Sequence, residues 1–223
     1  MGKILIRNLF LILFVTLNLA CAVLAIPYGG QVTVGNTEHG TGSTVSSTTV
    51  EPGNVTQANV TGTAITTRWA GFYGFITGGI QLADASNNKF FEWTVTNFTN
   101  AVVYAANGTV STWNLRAMNV STAPYDITIG QDNFNRTFTS SEVFQTPGVG
   151  PISGTPYALT YQGGVVGSLK TYALVTNDGS VNVWAGVAIQ NTTSFKTGER
   201  VDYQIIVPAK TTGTQYNFYL ELN

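Results

Sequence analysis

The chain has 223 residues, 43% hydrophobic and 12% aromatic, which is enough to bury one large core and too apolar for a disordered polymer. Only 9% of the residues are charged, against about 25% in an average globular chain, so hydroxyls, amides and glycine must form the surface. No basic cluster exists to bind nucleic acid, and the single cysteine, Cys21, excludes a disulfide framework.

Lys3 and Arg7 precede an apolar run, 9–24, broken only by Thr16 and Asn18. Small residues follow at Ala20, Cys21, Ala22 and Ala25. This basic, apolar, small-residue order predicts a secretory signal peptide over 1–25, cleaved after Ala22 or Ala25, with Ala25 preferred. Three other leaders use the same run. An uncleaved anchor would sit at the lower length limit for a span. A lipoprotein acylated at Cys21 would have Asn18 where its motif wants an aliphatic residue. A pilin-type leader would need a charged, Gly-ended prefix before Leu9. Cleavage places the mature protein outside the cell or on its surface, without cysteine.

Residues 26–62 read as a small-residue arm. After Tyr28 no aromatic occurs until Trp69, and the segment is Gly, Thr, Ser, Val and Asn. Strand-like pieces lie at 31–34 and at Thr44, Val45, Ser46, Ser47, Thr48, Thr49 and Val50. Such side chains cannot build a core alone, so the arm is either a flexible linker, an edge strand of its own domain, or a strand given to a neighbour.

Residues 63–223 predict one β-sandwich domain. Along 69–82, Phe72, Ile76, Ile80 and Leu82 point one way, and Trp69, Tyr73 and Phe75 the other, with glycines at 74 and 78 suggesting bulges. The turn at 84–88 joins this to an alternating run through Phe91, Trp93 and Val95. Asn107-Gly108 has the chemistry of a tight hairpin turn, with 109–115 returning. In 119–165, four prolines mark a long crossover, and Thr139-Ser140-Ser141-Glu142 is a candidate helix cap. Strands follow at 169–176, 181–190, 201–207 and 216–222. Their period-2 alternation predicts one buried and one wet face, and their spacing an all-β, antiparallel β-sandwich, jelly-roll-like, behind the N-terminal arm.

Seven Asn-x-Ser/Thr sequons occur, at Asn54, Asn59, Asn97, Asn107, Asn119, Asn135 and Asn191, six of them with Thr and none with a central Pro. Composition alone would give roughly half as many, so N-glycosylation of an exported chain is expected at several, Asn107 being the poorest because of its turn. His39, the only histidine, lies in the arm and not beside a rigid nucleophile and acid. No nucleophile elbow or zinc-protease motif occurs. Gly148-Val149-Gly150 is followed by Pro151, where a nucleotide loop would begin a helix. Glu92 with Glu142, and Asp202 with Glu221, are the acid pairs a glycosidase would need, although Asp202 and Glu221 read as solvated. Asp126, Asp132, Asn133 and Asn135 are oxygen-rich but lack calcium-loop spacing and read as turn formers. Trp69 and Trp184 are the best candidates for exposure and sugar stacking. No catalytic residue, cofactor or metal is expected.

The stretch Arg68-Trp69-Ala70-Gly71-Phe72-Tyr73-Gly74, with Phe91-Glu92-Trp93 and the closing runs 203–207 and 216–222, resembles a group of secreted archaeal β-proteins of mostly unassigned function. The layout of leader, small-residue arm and sequon-dense sandwich also resembles archaeal surface filament subunits of the thread or bundling-pilus kind. That resemblance implies donor-strand complementation between copies, with 44–50 as the donor. The expected function is a secreted, N-glycosylated cell-surface structural protein, with itself or other surface components as partners. The alternatives are a glycan- or surface-binding module, which needs aromatics aligned on an exposed sheet face, and a secreted glycoside hydrolase, which needs converging carboxylates.

Overall fold

The computed structural model describes residues 26–222 apart from 48, 50, 53, 56 and 126. The expected signal peptide therefore lies outside the described residues, as do Thr48 and Val50 of the donor candidate and Asp126.

The fold is antiparallel and nearly all β. In chain order the strands are β1 (Tyr28–Gly29), β2 (Trp69–Gly74), β3 (Gly79–Ala83), β4 (Lys89–Thr94), β5 (Val102–Ala106), β6 (Leu115–Ala117), β7 (Ser140–Phe144), β8 (Ile152–Gln162), β9 (Val165–Thr176), β10 (Asn182–Val187), β11 (Thr192–Thr193), β12 (Arg200–Val201), β13 (Tyr203–Pro208) and β14 (Asn217–Glu221). One eight-stranded sheet runs β1-β14-β5-β10-β9-β8-β7, with β6 paired to β9 off that path. A ribbon of β2 and β13 forms the second layer, while β3 with β4 and β11 with β12 stand as separate pairs.

The central strands β5, β9 and β10 are Val-, Ala- and aromatic-rich, and they are buried on both faces rather than on the one that alternation suggested. On one face Val103, Ala105, Ala173 and Trp184 meet Trp69, Ile205 and Val207 of the ribbon, together with Phe134 and Phe138. On the other, Val102, Tyr104, Leu174 and Val183 lie under Phe144 of β7 and under Val110, Trp113 and Val149 from the connecting segments. The positions that alternation left wet are covered by the ribbon at Trp184 of β10 and by the 146–149 loop at Glu221 of β14, long-range events that a period-2 pattern does not encode. Trp184, expected to be exposed, is fully buried, and Trp69 is buried with its Nε1 donating to the Asp132 carbonyl.

Gly186 lets the two layers approach: a Cβ there would lie 2.5 Å from Ile205 Cγ1. The turn at 84–88 forms as expected, with Asp84 Oδ1 accepting from the amides of Ser86 and Asn88 and Asn87 at φ 61°. Asn107-Gly108 does not make a hairpin. β5 pairs with β10 and β14, and the Asn107 side chain instead accepts from the Asn182 amide at 2.9 Å. The helix expected near 139–142 lies earlier, at Phe134–Thr137, capped by Asn133 Oδ1; Ser140–Phe144 is strand because it has β8 to pair with.

Candidate functional site: an excursion loop and an apolar end

The expected arm divides into two parts. Tyr28 and Gly29 pair with Leu220 and Tyr219, making β1 an edge strand of the chain's own sheet. From Gly30 to Arg68 the described residues belong to no strand; Val32 and Val34 of the strand-like piece 31–34 instead line a groove with Asn217 and Phe218 of β14. The segment is nevertheless tethered. Glu38 pairs with Lys196 at 2.7 Å, holding the Lys196 ammonium above its usual range. The Ser43 amide donates to the Thr63 carbonyl at 3.0 Å, and the Thr63 amide returns a bond to Ser43 Oγ. At its end Thr66 and Arg68 both bind Asp132, and these bonds, Thr66's first, hold that carboxyl below the usual range against a smaller opposing effect of burial. Between these clamps, Thr44, Val45, Ser46, Ser47 and Thr49 are exposed and pair with nothing in their own domain's sheets.

The second feature is the β3–β4 hairpin. Its register sets Ile80 opposite Trp93 and Leu82 opposite Phe91, which puts all four on one face, with Gln81 and Glu92 on the other. These four are 45–55% exposed, Phe91 and Trp93 contact edge-to-face at 4.9 Å, and Phe90 beside the bulge is 84% exposed. Among the described residues no further strand pairs with either side of the hairpin. Alternation along 69–82 puts Ile80 and Leu82 on one face with Phe72 and Ile76. The chain instead leaves the ribbon after Gly74 and starts β3 at Gly79. The sign of this in the sequence was Phe90-Phe91, where two aromatics in succession break the alternation.

The acids expected to be solvated are buried structural acceptors. Asp202, 4% exposed, takes the amides of Ile76 and Asn191. Glu221, 1% exposed, takes the Tyr104 hydroxyl at 2.6 Å, the Thr146 hydroxyl at 2.9 Å and the Gly148 amide at 2.8 Å. Glu92 bonds to Lys89 in the hairpin, while Glu142 on β7 bonds to Lys170 and Tyr172, so each of that pair has its own partners in a separate sheet. Burial opposes the charge of Glu142, but the bonds from Lys170 and Tyr172 outweigh it and hold the carboxyl below its usual range. Asp132 and Asn133 are consumed by the tether and the helix cap, and His39 is exposed in the excursion.

Of the sequons, Asn54, Asn59, Asn97, Asn119, Asn135 and Asn191 are exposed, whereas Asn107 is half-buried with its side-chain oxygen engaged. The far end of the sheet carries a cleft of about 300 Å³ lined by hydroxyls and amides, including Thr109, Ser111, Asn114, Asn177 and Ser180, with Asp178 the one carboxylate. Asp178 is itself bound by Thr176 and Ser180, which hold it below the usual carboxylate range. No protein-family model matches the chain, and no curated protein or solved structure matches it either.

Proposed function

We propose that the chain is an exported, N-glycosylated surface structural protein that assembles with copies of itself through the excursion between Ser43 and Thr63. The observation that carries this reading is the exposure of Thr44–Ser47 and Thr49 on a segment rich in strand-forming Val and Thr that its own sheets leave unpaired. An unpaired extended segment gains main-chain hydrogen bonds when laid along a neighbour's open edge, and alternate side chains then meet the neighbour's surface. Head-to-tail repetition of such a contact gives a filament. The exposed sequons would coat the remaining polar surface with sugar.

Electron microscopy of the purified mature protein tests the proposal. The comparison is with a variant in which 44–62 is replaced by a two-residue turn, which preserves β1 and the tethers at Glu38 and Arg68. Filaments that vanish in the variant support the reading. Filaments unchanged in the variant, or absent from the wild type, would overturn it.

A phenylalanine and a tryptophan on one hairpin face favour the glycan-binding alternative, but their cross-strand neighbours are Leu82 and Ile80. Sugar recognition needs polar groups beside the stacking ring to meet the hydroxyls, and this face supplies none.

A further inference from the structure

The register gives the sandwich two unlike ends. At one, Ala106, Asn182 and Asn217 lead into the hydroxyl- and amide-lined cleft. The opposite end lies at Val102, Val187 and Glu221, and there the exposed aromatics and aliphatics gather. The hairpin is rooted at this end: Leu222 and Leu220 approach Gly78, and Gln190 bonds to the Phe98 amide beyond β4. The tip of β8–β9 also projects here past the last pairing with β10, exposing Tyr161, Val165 and Val166.

The extent of this surface is at the upper end of what a solitary domain ordinarily shows. Phe75, Phe90, Phe91 and Trp93 are half to four-fifths exposed. At the size of aromatic side chains, these four alone offer roughly 400–600 Å². The largest apolar patch on a typical monomer is about 300–600 Å² in all. Ile80 and Leu82 on the hairpin add to this area, toward the ~800 Å² per partner of a stable interface. An isolated two-stranded hairpin is also marginal in water, so a covering partner would stabilise the element itself.

Charge and polarity select the partner. Lys89 pairs with Glu92, and Lys196 with Glu38 and Glu199, so the end carries little net field and does not repel an identical surface. A bilayer would have to receive the hairpin tip first, and that tip is Asp84, Asn87 and Asn88 in a hydrogen-bonded turn. Burying those groups in hydrocarbon is costly. Among the described residues the opposite end presents the hydroxyl- and amide-lined cleft, so the surface that matches this apolar end is the same end of another copy.

We propose that two copies dock end to end about a two-fold axis, the Ile80, Leu82, Phe91 and Trp93 face of each hairpin packing on its counterpart. This contact uses elements separate from the excursion and does not depend on it.

Sedimentation of the mature protein across a concentration series, with Trp fluorescence followed in parallel, tests the proposal. The wild type is expected to dimerise at micromolar concentration with a blue shift as Trp93 is covered. The variant Phe91→Ser/Trp93→Ser, checked by circular dichroism for an unchanged fold, is expected to dimerise at least 100-fold more weakly. The variant lacking 44–62 is expected to retain the dimer, so failure here and failure of the excursion reading are separately visible. A wild type monomeric at 100-fold higher concentration would overturn the proposal, as would a dimer unaffected by the double substitution. Binding of the monomer to phosphatidylcholine vesicles, lost in the double variant, would also overturn it and assign the surface to lipid.

Discussion

Glu221 is a carboxylate buried among neutral groups, with no lysine or arginine paired to it among the described residues, and its replacement separates two opposing effects. Its oxygens accept from the Tyr104 hydroxyl, the Thr146 hydroxyl and the Gly148 amide, tying the last strand to the 146–149 loop that covers the second core face. In Glu221→Leu, the Tyr104 hydroxyl and the Gly148 amide lose their acceptor inside the protein, while Thr146 is near enough to solvent to turn toward water. At about 1–3 kcal/mol for each stranded buried donor, the expected loss is about 2–6 kcal/mol. Glu221→Gln keeps the shape. Its carbonyl can serve Gly148, and its amide can donate to the two hydroxyl oxygens, so the loss is smaller, about 1–2 kcal/mol. At roughly 2–4 °C per kcal/mol for a domain of this size, Leu should lower Tm by roughly 4–24 °C and Gln by roughly 2–8 °C. Urea titrations read by Trp113 fluorescence give the free energies, since Trp113 packs against Tyr104 and Tyr219. If the leucine variant equals or exceeds the wild type in stability, desolvation of the carboxylate outweighs its three bonds and the reasoning fails.

Gly186→Ala should destabilise the domain by about 1–3 kcal/mol, because the new methyl meets the buried Ile205 side chain. In an Ile205→Ala background the same substitution should cost much less, and additive urea-derived losses would refute the close-approach argument. Burial raises the hydroxyls of Tyr104, Tyr172, Tyr203 and Tyr216 above the ordinary tyrosine range, with Glu221 adding to the effect at Tyr104 and Glu142 at Tyr172. The native state keeps these protons after the unfolded chain has begun to lose them near pH 10, so stability is intact below about pH 10 and falls as pH rises above it. Tyr216→Phe should flatten that fall in urea midpoints measured from pH 8 to 11, and an identical slope would refute the assignment. Asn107→Ala should cost about 1 kcal/mol through its lost bond to the Asn182 amide. It should leave the intact mass of the exported protein changed only by the substitution itself, and loss of a whole glycan would show that the half-buried sequon is occupied.

The strands from β9 onward were legible because long Val-, Ile- and aromatic-rich runs with Asn-Asp-Gly between them leave little choice of local structure. Which faces were buried was not legible. Trp184 was assigned to a polar face by alternation, and its burial depends on Ile205 arriving from a different sheet. Glu221 and Asp202 misled for the same reason: a carboxylate in a strand reads as solvated until the loop that donates to it is placed. Asn107-Gly108 carried a sound local turn signal, but β5 found neighbours on both sides from distant parts of the chain, and pairing there outweighed the short hairpin. In the candidate site, the exposed small-residue excursion was visible in composition. The apolar hairpin was seen as a strand pair without its exposure, since the break after Gly74 that detaches it from the ribbon is marked locally only by glycines and, on the partner strand, by the Phe90-Phe91 pair.

The bond between Ser43 and Thr63 changes what donation by the excursion means. A segment closed at its neck has no free end, so a recipient sheet cannot be threaded and must be open along its flank. The loop offers an outgoing and a returning run of opposite direction, and either can lie antiparallel to a given edge. Subunits joined in this way can separate by peeling sideways without passing any chain through another. A single proteolytic cut between the clamps would change that topology: both pieces would stay bound to the domain, and the clamped loop would become two loose ends.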